Sequence, residues 1–173
     1  MSTAVICIVP TATEAENLVS NLKDAGFPND QISALLPDQN VSKDMGHEKH
    51  SKAPEGTATG AGAGALVGGA LGLLAGVGAL AIPGVGPFIA AGPIMAALSG
   101  AAIGSSVGGV TGGLIGLGIP EYEAKQYESK LKDGNILLSV HTSDGDEAKR
   151  AEEIMKANGA RDIKRTTEET VKR

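Results

Sequence analysis

The alternation of apolar and polar positions divides the chain into two similar outer parts and an unusual middle. Residues 4–9 (Ala-Val-Ile-Cys-Ile-Val) are an unbroken, mostly β-branched apolar run, which predicts a buried strand. Beyond it Ala15, Leu18, Val19 and Leu22 recur at helical spacing, with Thr13 and Glu16 spaced as a capping box. Gly26 offers a left-handed cap, Pro28 bars continuation, and residues 31–36 predict a second strand. The same order returns near the end of the chain. Residues 136–141 read as a strand and 142–146 as a polar turn. A helix over about 146–158 carries Ala148, Ala151, Ile154 and Met155 inward, Gly159 ends it, and 161–165 make a short last strand. Residues 121–132 predict one more amphipathic helix, with Ala124, Tyr127 and Leu131 on one face. Its Glu121–Lys125 and Glu128–Lys132 pairs are in the favourable order. Two βαβ-like halves, over 1–37 and 120–173, predict an α+β fold, a ferredoxin-like split βαβ sandwich.

Between the halves, residues 38–58 read as a polar linker and 59–119 as a different kind of segment altogether. Glycine recurs every fourth residue at Gly60, Gly64, Gly68, Gly72 and Gly76, and again at Gly100, Gly104, Gly108, Gly112 and Gly116. On a helix this is the small-xxx-small pattern of closely packed transmembrane helices, so these ten glycines are the candidate helix-packing residues. Residues 60–82 hold eight Gly, seven Ala and eight Leu, Val or Ile, and residues 94–118 return to the same composition with Ser99, Ser105, Ser106 and Thr111. In water each Gly costs a helix about 1 kcal/mol relative to Ala. In a bilayer a span of about 20 apolar residues is driven helical because its backbone must satisfy itself. The expectation is therefore a glycine-zipper helical hairpin that crosses a membrane twice and turns at 83–93, where three prolines fall. A second possibility is that the hairpins pack in a water-soluble assembly or switch from soluble to inserted.

Charge sharpens this division. From Gly56 to Pro120 the 65 residues include no Asp, Glu, Lys, Arg or His. Lysines 43, 49, 52, 125, 130 and 132 flank the segment and its turn has no charge, which puts the folded domain on the cytoplasmic side of the inner membrane. The net charge of −5 with no basic stripe, and only two Tyr and two Phe, argue against nucleic-acid binding. The single Cys7 excludes an intramolecular disulfide and is expected to pack in the sheet. His47 and His50 lie three apart beside Glu48, but in a polar linker, and are expected to be solvated rather than metal ligands. His141, at a strand end, is expected to be structural. Tyr122 and Tyr127 suit either an interfacial anchor or core contacts. The glycine density matches parts of many phosphate-binding fingerprints, yet no strand precedes it and no Walker lysine follows. Catalytic residues, cofactor and metal are all expected to be none.

Several stretches resemble the general stress protein 17M-like family, also met as low-temperature-induced proteins. They are Thr13-Glu-Ala-Glu-Asn-Leu, Ala25-Gly-Phe-Pro, Gln31-Ile-Ser, Gly118-Ile-Pro-Glu-Tyr-Glu-Ala-Lys-Gln-Tyr-Glu and Gly134-Asn-Ile-Leu-Leu-Ser-Val-His. The resemblance covers about half the chain. It implies an α/β domain, often with a glycine-rich membrane insert, associated with bacterial stress responses, and it transfers no catalytic residue. The expected function is a non-enzymatic, membrane-integrated stress protein that self-associates through its hairpin, with itself and the lipid bilayer as partners. Two alternatives stand beside it. One is a ligand- or partner-binding sensor anchored by the hairpin, and the other is an oligomeric pore or shell in which Ser99, Ser105, Ser106 and Thr111 face water.

Overall fold

In the computed structural model, residues 2–37, 78–82, 86–94 and 109–168 are described. Strand β1 (Ser2–Val9) leads into helix α1 (Ala12–Asp24), a 3-10 turn (Asn29–Gln31) and strand β2 (Ile32–Pro37). A hairpin of β3 (Gly78–Ile82) and β4 (Gly86–Ala91) follows, then helices α2 (Gly109–Gly116) and α3 (Glu121–Lys132). Strand β5 (Ile136–Thr142), helix α4 (Gly145–Ala157) and strand β6 (Arg161–Glu168) complete the described chain.

The six strands form one sheet in the order β3-β4-β2-β5-β1-β6, every neighbouring pair antiparallel. The two outer βαβ-like halves thus interleave, β5 lying between β1 and β2, and β1 between β5 and β6. This mixed α/β architecture is the coarse form of the fold that the sequence predicts.

Both faces of the sheet are covered, and that explains the unbroken apolar run of β1. Val5, Cys7 and Val9 point to one face, against α1 and α4. Ala4, Ile6 and Ile8 point to the other, against a layer that contains Leu114 of α2 and Tyr127 and Leu131 of α3. A strand buried on both sides loses the polar alternation of a half-exposed one. The helix faces follow the expected spacing, with Ala15, Leu18, Val19 and Leu22 all buried in α1. Gly26 and Gly159 close their helices at φ +96° and +74°. The helix is capped two residues earlier than the Thr13–Glu16 spacing predicts: Thr11 is the N-cap and accepts from Glu14 N–H at 3.2 Å.

The middle segment brings the main correction. Residues 78–82 belong to the stretch expected as a membrane helix and are a strand, and 86–91, expected within a turn, are the strand paired with it. Short apolar runs fit either period, and Gly disfavours a helix in water. Strand β2 supplies the deciding term, because its free edge satisfies the backbone of β4 from Ala34↔Ala91 to Pro37↔Phe88. Phe88, Ile89 and Ala90 are buried as a result. In the second stretch, only Gly109–Gly116 is described as helix, and Leu114 is fully buried there. Among the described residues, no helix is long and apolar enough to cross a membrane.

Candidate functional site

Of the ten ladder glycines, Gly112 and Gly116 fall on α2, and the other eight lie outside the described residues. Helix α2 buries Val110, Thr111, Gly113 and Leu114. Its other side carries Gly112, half-buried, with Gly116 and Ile115 exposed, Ile115 to 37%. A methyl group added at Gly116 would meet nothing within 4 Å. The intrachain core therefore gives no packing reason for glycine at position 116.

Helix α2 is tied to α3 by a polar joint that spacing alone does not reveal. Thr111 is the third residue of α2, so its N–H has no partner within its own helix. The Glu128 carboxylate of α3 accepts from that N–H at 3.1 Å and also from the Thr111 hydroxyl. Lys132 braces the same carboxylate at 3.1 Å. Partial burial raises the Glu128 carboxyl, but these hydrogen bonds and the lysine outweigh it and hold the group below its ordinary value of 4.5. The i,i+4 pair of Glu128 with Lys132 that the spacing predicts is present, and the Thr111 contacts add to it. Thr111, a water-facing residue in the pore reading, is buried against Glu128; Ser99, Ser105 and Ser106 lie outside the described residues.

A second polar cluster anchors the chain that follows β4. Ser33 of β2 and Ser139 of β5 face each other in register, and both hydroxyls lie on His141 Nε2, at 3.0 and 2.9 Å. Ser33 also accepts from the Ile94 N–H at 3.1 Å. Just before it, Gly92 at φ +77° packs so closely on β2 that a Cβ there would sit 2.2 Å from the Ile32 carbonyl oxygen. A serine hydroxyl beside an imidazole is the pairing used for nucleophile activation. Here Ser33 is fully buried and already accepts a backbone N–H, so the cluster acts as a latch for residues 92–94. The sequence signal was present: Ser33, Ser139 and His141 are the polar interruptions on one face of two apolar strands.

The third feature is an irregularity in β6. Ile6 pairs with Lys164 and Ile8 with Arg161, so β6 carries one residue too many opposite Cys7. Asp162 absorbs it at φ +51°, and no other non-glycine among the described residues has positive φ. Two residues of α3 hold it there, Tyr127 by donating to the Asp162 carbonyl at 2.7 Å and Lys130 by pairing with its carboxylate. Burial pushes the Tyr127 phenol well above its ordinary value, reinforced by Glu123 and Asp162. Beside the bulge opens a cleft of about 440 Å³ lined by Ile8, Gln126, Ser129, Lys130, Asp133, Asn135, Arg161 and Asp162.

The remaining candidates are quickly placed. Cys7 is buried, and loss of water pushes its thiol up to about 12 despite a backbone hydrogen bond. Of the two tyrosines, Tyr127 is a core residue and Tyr122 is 73% exposed. His47 and His50 lie outside the described residues, among which no group of three potential metal ligands occurs. No protein-family model, curated protein or solved structure matches this chain.

Proposed function

We propose that this protein is a non-enzymatic, membrane-associated stress protein of the general stress protein 17M-like kind. Its ferredoxin-like domain faces the cytoplasm and its glycine ladder mediates self-association. The interleaved order of β2, β5, β1 and β6, with α1 and α4 on one face, supports the ferredoxin-like reading. One observation carries the self-association reading: Gly112, Ile115 and Gly116 form the outer side of α2, away from the core. Glycines at i and i+4 beside an exposed isoleucine make a groove and a knob that a second copy can match.

The docked β3–β4 hairpin adds a condition to membrane insertion. While residues 92–94 are latched on β2, only residues 95–108 separate Ile94 from α2. Those fourteen residues would span about 21 Å as a helix, short of the roughly 30 Å hydrocarbon core. A second span needs α2 as well, and the first expected span, 60–82, includes β3, so insertion as a two-span hairpin requires β3 and α2 to leave the sheet, and the protein has a docked and an inserted state. Carbonate extraction of native membranes tests the reading, with the protein expected to partition between soluble and extraction-resistant fractions. Replacing Gly116 by Leu should shrink the detergent-solubilised oligomer. Full recovery in the soluble fraction, with oligomer size unchanged by the substitution, would refute it.

A further inference from the structure

The cleft beside the β6 bulge belongs neither to the glycine ladder nor to the joints that hold α2 and β4. Its volume of about 440 Å³ suits a small molecule. Its lining carries four charged side chains, Lys130, Asp133, Arg161 and Asp162. Among the described residues Arg161 has no ion-pair partner, nor has Asp133, whereas the other two charges, Lys130 and Asp162, neutralise each other. Asp133 is the C-cap of α3, where the backbone dipole adds negative potential and favours a cation. Arg161 offers a guanidinium fork suited to a carboxylate. Ser129 and Gln126 supply further hydrogen-bonding groups to the same lining.

This geometry is held rather than incidental. Asp162 sits at φ +51°, in the left-handed region that few non-glycine residues adopt. Tyr127 and Lys130 fix it from α3, and the Asn135 side-chain amide, in the same lining, donates to the Lys130 carbonyl at 2.9 Å. Bulges are over-represented where a strand has to present a side chain differently, and this one directly follows Arg161 in β6.

We propose that this cleft binds a small zwitterion of the amino-acid class, its carboxylate on Arg161 and its ammonium on Asp133 at the end of α3. An anion alone would meet Asp133, and a cation alone would meet Arg161, so the arrangement favours a ligand that carries both charges. Such a site gives the domain a solute-responsive element that is independent of membrane association.

Saturation-transfer NMR on the full-length protein tests the proposal. The probes are an equimolar mixture of the proteinogenic amino acids at about 1 mM each, inorganic phosphate read by its own line width, and putrescine. One or more amino acids should give transfer, while phosphate and putrescine give none. Arg161→Gln and Asp133→Asn should each weaken the bound amino acid by about tenfold or more. Both positions are exposed, so circular dichroism should match the parent chain and separate lost binding from lost folding. Transfer from no amino acid, binding unchanged by either substitution, or phosphate binding indifferent to Asp133 would each overturn the proposal. None of these outcomes bears on carbonate extraction or oligomer size, so this inference and the membrane reading fail separately.

Discussion

The carboxylate of Glu128 caps a helix that is not its own, accepting from both the backbone N–H and the hydroxyl of Thr111. Helix α2 spans only Gly109–Gly116 and contains four glycines, so its own propensity is poor. Its place on the sheet rests on Val110, Leu114 and this joint. Glu128→Ala is expected to cost about 1–2 kcal/mol of local stability, the range for loss of a charged cap. Lys132→Ala should cost well under 1 kcal/mol, because the lysine is half exposed and adds only an i,i+4 pair. Hydrogen exchange of the amides from Leu114 to Ile119 reports the difference. Equal effects of the two substitutions would show that the ion pair, not the cap, holds α2.

The same carboxylate makes the joint sensitive to acid. The folded state holds Glu128 below its ordinary value of 4.5, so its contribution is fully present at neutral pH. It is lost as pH falls through the folded-state value, when the protonated acid no longer serves as a charged acceptor. Exchange protection of α2 should therefore decline on acidification before the strands β1 and β5 open. In Glu128→Gln this early loss should be absent. An α2 that opens only together with the whole sheet would contradict the assignment.

The outer halves were legible because local signals and tertiary packing agree there. Helix α3 runs from Glu121 to Lys132 as its apolar spacing predicts, and Gly26 and Gly159 end helices as left-handed caps. Residues 78–91 were not legible, because Gly-Ala-Leu-Ala-Ile carries no period and the open edge of β2 that recruits it is a tertiary fact. The candidate sites escaped for a related reason. Thr111 and Glu128 are 17 residues apart, Ser33 and His141 108 apart, and nothing in either neighbourhood announces the partner. Asp162 is the hardest case, since a bulge with an aspartate at positive φ leaves no trace in a charged edge strand.

Gly92 and Gly26 share a left-handed backbone but differ in surroundings, which separates two costs. At Gly26 an added Cβ meets nothing within 4 Å, so Gly26→Ala should lose only about 1 kcal/mol for the backbone conformation. At Gly92 the same Cβ meets the Ile32 carbonyl oxygen at 2.2 Å and the Ser33 Cα at 2.9 Å, both backbone atoms. Gly92→Ala should therefore cost about 3 kcal/mol or more, and expel residues 86–94 from their place beside β2. Urea denaturation gives the two values. Increased membrane partitioning of Gly92→Ala would link undocking to insertion, whereas equal costs at the two sites would refute the close approach at Gly92.

Cys7 offers a reporter of global opening. Its thiol is fully buried at the centre of β1 and is pushed from 9.0 up to about 12 by loss of water. Only the thiolate reacts with disulfide reagents. The native protein at pH 8 should resist labelling, and its slow labelling rate should rise with urea in parallel with unfolding. Because the folded-state value is raised, the thiol favours folding below pH 9, and that contribution is lost as pH climbs from 9 towards 12. Rapid labelling in the absence of denaturant would mean that β1 opens locally.

The Tyr127–Asp162 contact separates backbone shape from side-chain charge in the bulge. Tyr127→Phe removes the donor to the Asp162 carbonyl and should cost about 1 kcal/mol. Asp162→Gly removes the exposed pair with Lys130, worth at most about 1 kcal/mol, but relieves a strained φ of similar cost. The two effects oppose each other, so Asp162→Gly should leave stability unchanged within about 0.5 kcal/mol. Asp162→Val, β-branched at positive φ, should be the most damaging of the three. Thermal denaturation of the three variants gives the ranking. A large loss in Asp162→Gly would show that the carboxylate, rather than the turn of the backbone, is what Tyr127 and Lys130 are holding in place.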